Sequence, residues 1–170
     1  MITSVNLFIG IVSGIVASGI FFLTLLLVRP KITVSNQICY DGESLYRIKV
    51  VNRTKAMLKN LNYTLQCYET RGDGIFYLKD IKPYREKEFY IDKYDRKDEN
   101  ASYAIRFSYE IPEECFLNDT NKLVFTFLAD HTYSNTSVCI KKEYFIKKEG
   151  GGSDIVTGIF ETGLSTKILR

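Results

Sequence analysis

The sequence predicts a mainly β protein: one N-terminal transmembrane helix followed by an antiparallel β-sandwich or small barrel of seven to eight strands. Three observations predict it. Residues 2–28 contain no charged side chain, and the stretch from Leu7 to Val28 is almost entirely apolar or small, long enough to cross a hydrocarbon core of about 30 Å as a single helix. From 31 to 149, apolar and polar side chains alternate with the period of two that a strand with one buried face requires. Turn-forming clusters interrupt this alternation at short intervals, and no segment of helical period lies between them.

The anchor closes at Arg29-Pro30-Lys31, where two cations hold the water interface and the proline cannot continue the helix. A cleavable signal peptide would carry a basic start, a shorter apolar stretch and small residues at its end. Residues 1–6 contain no Lys or Arg, and the run ends in Leu25-Leu26-Leu27-Val28, so a retained anchor is expected. Gly10, Gly14 and Ser18 recur every four residues and line one helix face, with Ser13 and Ala17 beside them. Small residues at this spacing let helices approach closely, so a homo-oligomer, or pairing with another membrane protein, is the expected use of this face. The span holds no ionisable residue, so nothing in it supports an ion path lined by charge.

The strands are read in order. Residues 32–40 form the first. In 45–51, Tyr46, Ile48 and Val50 point one way and Arg47 and Lys49 the other; in 61–67, Leu61, Tyr63, Leu65 and Cys67 oppose Asn62, Thr64 and Gln66. Residues 75–78 and 88–91 are short strands. Tyr103, Ile105, Phe107 and Tyr109 alternate again, as do Leu123, Phe125 and Phe127, and 138–147 closes the set. Asp41-Gly42, Arg71-Gly72-Asp73-Gly74, the charged stretch 93–100 and residues 118–121 supply the turns. The chain thus divides into an anchor (1–30), a sandwich (31–149) and a Gly-rich hinge with a C-terminal tail (150–170). About 119 residues suffice for one core. Most of the twelve Tyr and eleven Phe fall on alternating positions, where a core needs bulk. With no Trp in the chain, the outline is immunoglobulin-like without the hallmark ring of antibody-type domains. In the tail, Asp154 is a candidate helix start, Gly158 and Gly163 each weaken a helix by about 1 kcal/mol, and docking on a partner, on a membrane or as a strand on the sheet edge all remain open.

Chemistry is sparse. The net charge is +3, with both signs interspersed, so a nucleic-acid duplex is not an expected partner. Arg29, Lys31, Lys141 and Lys142 are the candidates for contact with an anionic membrane surface. Tyr84, Tyr94, His131 and Tyr133 fall in loops beside cations and are the candidates for gripping a protein or small ligand. His131 is the one histidine; Asp130 and Ser134 are its neighbours in sequence, but a triad needs spatial geometry, which adjacency rarely gives. No catalytic residue is assigned and the chain is not expected to be an enzyme. Neither a CxxC or CxxH pair nor a phosphate-binding glycine loop is present, so no metal or cofactor is expected.

Orientation divides the sequence signals. Lys and Arg follow the helix and do not precede it, which places the folded domain in the cytoplasm. Cys39, Cys67, Cys115 and Cys139 could instead form disulfides in an oxidising compartment. Five N-x-S/T triplets, at Asn52, Asn62, Asn100, Asn118 and Asn135, also fit a glycosylated ectodomain. An A/T-rich coding bias accounts for the same triplets.

Residues 46–52, after the Arg-Pro-Lys-Ile entry, and residues 123–135 give the chain a resemblance to poorly characterised bacterial proteins with one N-terminal anchor and a β-sandwich. In layout it is similar, more distantly, to the membrane-anchored β-barrel effectors of bacterial antiphage nucleotide signalling, which carry two membrane helices where this chain has one. The first resemblance implies architecture; the second implies a ligand-sensing effector that clusters and disrupts the membrane. The residues themselves lead to a membrane-anchored binding module, with a glycosylated, disulfide-bonded viral or eukaryotic ectodomain as the other alternative.

Overall fold

The protein is described here by a computed structural model covering residues 2–27, 30–71, 74–85, 88–134, 136–147, 152–160 and 166–168. The apolar N-terminal stretch forms one helix, α1 (Ile2–Leu27), within which Val5–Thr24 is long and apolar enough to cross a membrane. At 1.5 Å per residue this segment measures about 30 Å. Two of its hydroxyls bond within the helix: Ser13 donates to the Gly10 carbonyl at 3.0 Å and Thr24 to that of Ile20 at 2.8 Å, the pairing that a lipid environment would require. Arg29 lies outside the described residues.

The strands among the described residues are β1 (Ile32–Val34), β2 (Ile38–Tyr40), β3 (Tyr46–Asn52), β4 (Leu58–Arg71), β5 (Gly74–Ile81), β6 (Tyr90–Ile91), β7 (Ala104–Tyr109), β8 (Lys122–His131), β9 (Ser137–Phe145), β10 (Ile155–Phe160) and β11 (Thr166–Ile168). They build two sheets. In the first, β3 pairs with β7 on one side and with β1 and then β2 on the other; β10 joins β2, and β11 joins β10. The second runs β5-β4-β8-β9, with β6 also on β4. The mainly β expectation therefore holds, with an apolar helix followed by two packed sheets.

The predicted strand over 32–40 is two strands, and Ser35 explains the break. Its backbone N–H donates to the Lys49 carbonyl at 2.8 Å while its hydroxyl accepts the Lys49 N–H at 3.2 Å. Its carbonyl accepts the Tyr144 hydroxyl at 2.8 Å, a bond from one sheet to the other. At Asn60, with φ at 53°, β4 bulges against β8 between Lys59 and Asn62, the left-handed conformation that Asn tolerates better than most residues.

Between the sheets lies one apolar cluster built from Ile48, Val50, Leu65, Phe107, Phe125, Phe127 and their neighbours. Phe107 sits 5.9 Å from both Phe125 and Phe127, so the alternating aromatics are core, as the pattern requires. Burying side chains of this size contributes roughly 1.5–3 kcal/mol each.

Two segments depart from the sequence reading. Lys49, expected on a solvated strand face, is 4% exposed. Burial and the nearby Arg106 and Arg53 guanidiniums hold its ammonium below the usual lysine range. The tail supplies the physical reason for this closed outer face. Asp154 begins a strand and not a helix: Ile38 donates to its carbonyl at 2.8 Å, and its own N–H and carboxylate engage the Phe145 backbone at 3.0 and 3.1 Å. β10 then runs parallel to β2, with Ile155, Val156 and Thr157 opposite Ile38, Cys39 and Tyr40. Arg106 of β7, in register with Lys49, donates to the Phe160 carbonyl at 3.3 Å. Since β3 and β2 separate β7 from β10 in the sheet, the end of β10 folds across its outer face. Of the dockings left open for the tail, the strand on the sheet edge is the one adopted.

Candidate functional site

The chain enters the sandwich at one end, and the strand directions show which loops share that end. β3 ends beside β1, with Asn52 opposite Ile32 and the Arg53 N–H on the Lys31 carbonyl at 2.7 Å. β8 also ends there, since His131 lies opposite Leu58, which in turn faces Ile91. Loops 53–57, 92–103 and 132–136 are therefore neighbours at this anchor end. Only four residue steps, at most about 14 Å of extended chain, separate Lys31 from Leu27 of α1.

Asn52 organises these loops. Fully buried, it donates through Nδ2 to the Ala56 carbonyl at 2.7 Å and the Asp92 carbonyl at 2.8 Å. Its Oδ1 accepts both the Thr54 N–H (2.9 Å) and the Thr54 hydroxyl (2.6 Å). The first N-x-S/T triplet is thus a structural turn whose amide nitrogen is committed inside the fold. The loops are tied further by Tyr94 N–H to the Thr54 carbonyl at 2.7 Å and by Thr132, whose N–H and hydroxyl both reach the Met57 carbonyl, at 3.2 and 2.9 Å. Asn62 and Asn100 are exposed, Asn118 donates to Glu69 at 2.7 Å, and Asn135 lies outside the described residues.

The stitched loops enclose an open depression of about 340 Å³ lined by Lys55, Met57, Asp92, Lys93, Thr132 and Tyr133. Lys55, Lys93 and Asp92 bring two cations and one carboxylate to its edge, and Tyr133 is 73% exposed there. Such a surface can pair an anionic group with Lys55 and Lys93 and stack a planar or apolar portion on Tyr133 and Met57.

The sequence candidates divide. Tyr133 lines the depression. Tyr94 supports it from beside: its ring packs edge-on against Tyr103 at 4.9 Å, with the Arg53 guanidinium 5.9 Å from its centroid. His131 lies behind it, 2% exposed. Its Nδ1 accepts the Ser134 N–H at 3.3 Å and contacts the Ser134 hydroxyl at 2.8 Å, which leaves the proton of the neutral ring on Nε2. Burial holds its pKa below the ordinary 6.5. Asp130 alternates to the opposite strand face, where Asn60 (2.8 Å) and Ser137 (2.7 Å) donate to it and hold its carboxyl below the usual range. The Asp-His-Ser neighbours do not converge. Tyr84 sits elsewhere, its N–H on the Ser108 carbonyl at 2.8 Å, toward the far end of β7. Lys31 is exposed at the anchor end. Lys141 and Lys142 lie midway along β9, opposite Thr126 and Phe125, and Lys142 donates to Asn36 at 2.9 Å. On α1, Gly10, Gly14 and Ser18 lie on an open surface, with nothing within 4 Å of where a Cβ would stand on either glycine. Among the described residues no three His, Cys, Asp or Glu side chains cluster as metal ligands.

Lys55, Met57, Lys93, Arg53 and Asn52 were not legible as site residues, because each stands alone in its own turn and only the strand directions bring the turns together. Compared with known proteins, the chain matches no family model and no curated protein sequence.

Proposed function

We propose that this protein is a single-pass membrane-anchored β-sandwich that acts as a binding module, without catalysis, and recognises a protein or small ligand bearing anionic groups close to the membrane surface. The observation that carries this reading is the coincidence of two features at one end of the sandwich: the short tether to α1, and the depression edged by Lys55, Lys93 and Tyr133. A module tethered this way meets its ligand at high effective concentration. The cations that follow the helix favour a cytoplasmic domain, and the open Gly10, Gly14, Ser18 face supports self-association, which Gly14→Leu should weaken by crowding the helix contact.

The test is photo-crosslinking in cells from a benzophenone amino acid at Tyr133 of the full chain, with the same probe at Tyr77 as the control. The reading expects discrete adducts at Tyr133 that vanish in the Lys55→Glu, Lys93→Glu double variant. Equal adducts from both positions, or adducts indifferent to the charge reversal, would overturn it. Side is read separately from Cys139, the exposed cysteine of the four: labelling by an impermeant maleimide only after lysis places the domain in the cytoplasm.

A further inference from the structure

We propose that Cys67 and Cys115 are a disulfide-forming pair, a modification site built into the far half of the sandwich. Cys67 points inward from the middle of β4. Cys115 points inward from the 3₁₀ turn Glu113–Phe116 between β7 and β8. Both belong to the same core cluster, 0% and 1% exposed.

Two contacts on either side hold the segments in this apposition. Lys79, directly opposite Cys67 on β5, reaches Glu114 at 3.5 Å, the residue before Cys115. Glu69, two residues beyond Cys67, accepts the Asn118 amide at 2.7 Å, three residues beyond Cys115. The Cys115 carbonyl accepts the buried Asn121 amide at 3.0 Å, which fixes the turn itself. Ile38 and Ile140 face the core, so their neighbours Cys39 and Cys139 lie on the outer faces of opposite sheets, with the whole sandwich between them.

The environment also sets the order of events. Cys115, in a short turn, is the first of the two that an external disulfide meets. Its turn lies between exposed Glu114 and Leu117, so opening one short turn uncovers the sulfur, whereas Cys67 is held in a central strand. The oxidant is a disulfide, either small-molecule or that of a thiol oxidoreductase. The Cys115 thiolate attacks one of its sulfurs, forming a mixed disulfide and expelling a thiolate that takes up a proton. Cys67 then loses its proton and attacks Cys115, expelling the second thiol. Two protein thiols are oxidised and one external disulfide is reduced to two thiols.

The test uses the full chain in detergent with Cys39→Ser and Cys139→Ser, unfolded and refolded in a reduced and oxidised glutathione mixture, then alkylated, digested and mapped by mass. A linked Cys67–Cys115 peptide is expected, with a thermal midpoint about 10 °C above that of the reduced form, because the bond closes a loop of about 50 residues. Recovery of both cysteines alkylated, recovery only as glutathione adducts, or a linked form with a lower midpoint than the reduced protein would each overturn the proposal. Repeating the mapping on the wild-type chain, a link through Cys39 or Cys139 would do so as well.

Discussion

The two ends of the sandwich are built on different principles. At the anchor end, three loops far apart in sequence are held by side chain to backbone bonds centred on buried Asn52, and what they expose is charge and one tyrosine. At the far end, the β4–β5 hairpin extends the sheet, and Ile75, Phe76, Tyr77 and Leu78 of β5 are all at least 40% exposed. Below it Cys67 and Cys115 belong to the one core cluster. A depression with defined walls needs a rigid polar frame, and the anchor end has it. The far end is built from the paired strands β4 and β5 and one 3₁₀ turn, Glu113–Phe116, that buried Asn121 holds.

This contrast can be broken by substitution. The largest effect is expected at Asn52→Ala, which strands the Ala56 and Asp92 carbonyls and the Thr54 N–H; a loss of about 3 kcal/mol is expected in urea unfolding. A loss below about 1 kcal/mol would mean that the loops do not depend on this frame. Next is the pH dependence of His131. Its folded pKa is lowered by burial, so between that value and the ordinary 6.5 the unfolded chain binds the proton and the folded one does not. Stability is therefore full above 6.5 and falls as pH drops through that window. His131→Gln, whose side-chain oxygen can still accept the Ser134 N–H, should remove this component of the slope in unfolding measured from pH 7 to 5. Charge reversal at exposed Lys55 and Lys93 should change stability by only about 0.5 kcal/mol while abolishing the Tyr133 adducts, which separates recognition from folding. The smallest effect belongs to the far end: Asp119→Asn removes the exposed Lys147–Asp119 pair and should cost about 0.3 kcal/mol or less.

Much of the fold was legible because the strongest signals are local. The uncharged run before Arg29 and the alternation in Tyr46-Arg-Ile-Lys-Val and Leu123-Val-Phe-Thr-Phe need only neighbouring residues to be read. What stayed hidden depends on contacts distant in sequence. Lys49 carries the polar half of a perfect alternation, yet the tail closes over the face it occupies. β10 reads as a weak helix or a loose tail because Gly158 and its short apolar groups have no local period; the edge of β2 supplies the pairing that decides its conformation. Asn52 looked like a glycosylation triplet, since its Thr at the second following position serves a turn and a triplet equally well. At the site, Tyr133 was visible as a loop aromatic, but the lysines that share its depression stand about 80 and 40 residues away and share no motif with it.

In the proposed function, loops 53–57, 92–103 and 132–136 face the bilayer into which α1 would insert. Energy transfer from a dye to a headgroup acceptor in liposomes tests it directly, with the full chain carrying Cys139→Ser and the dye on either Lys55→Cys or Tyr77→Cys. The account predicts markedly stronger transfer from position 55 than from position 77, since β4 alone, at 14 residues, spans about 45 Å between the two ends. Equal transfer from both positions, or stronger transfer from position 77, would contradict it.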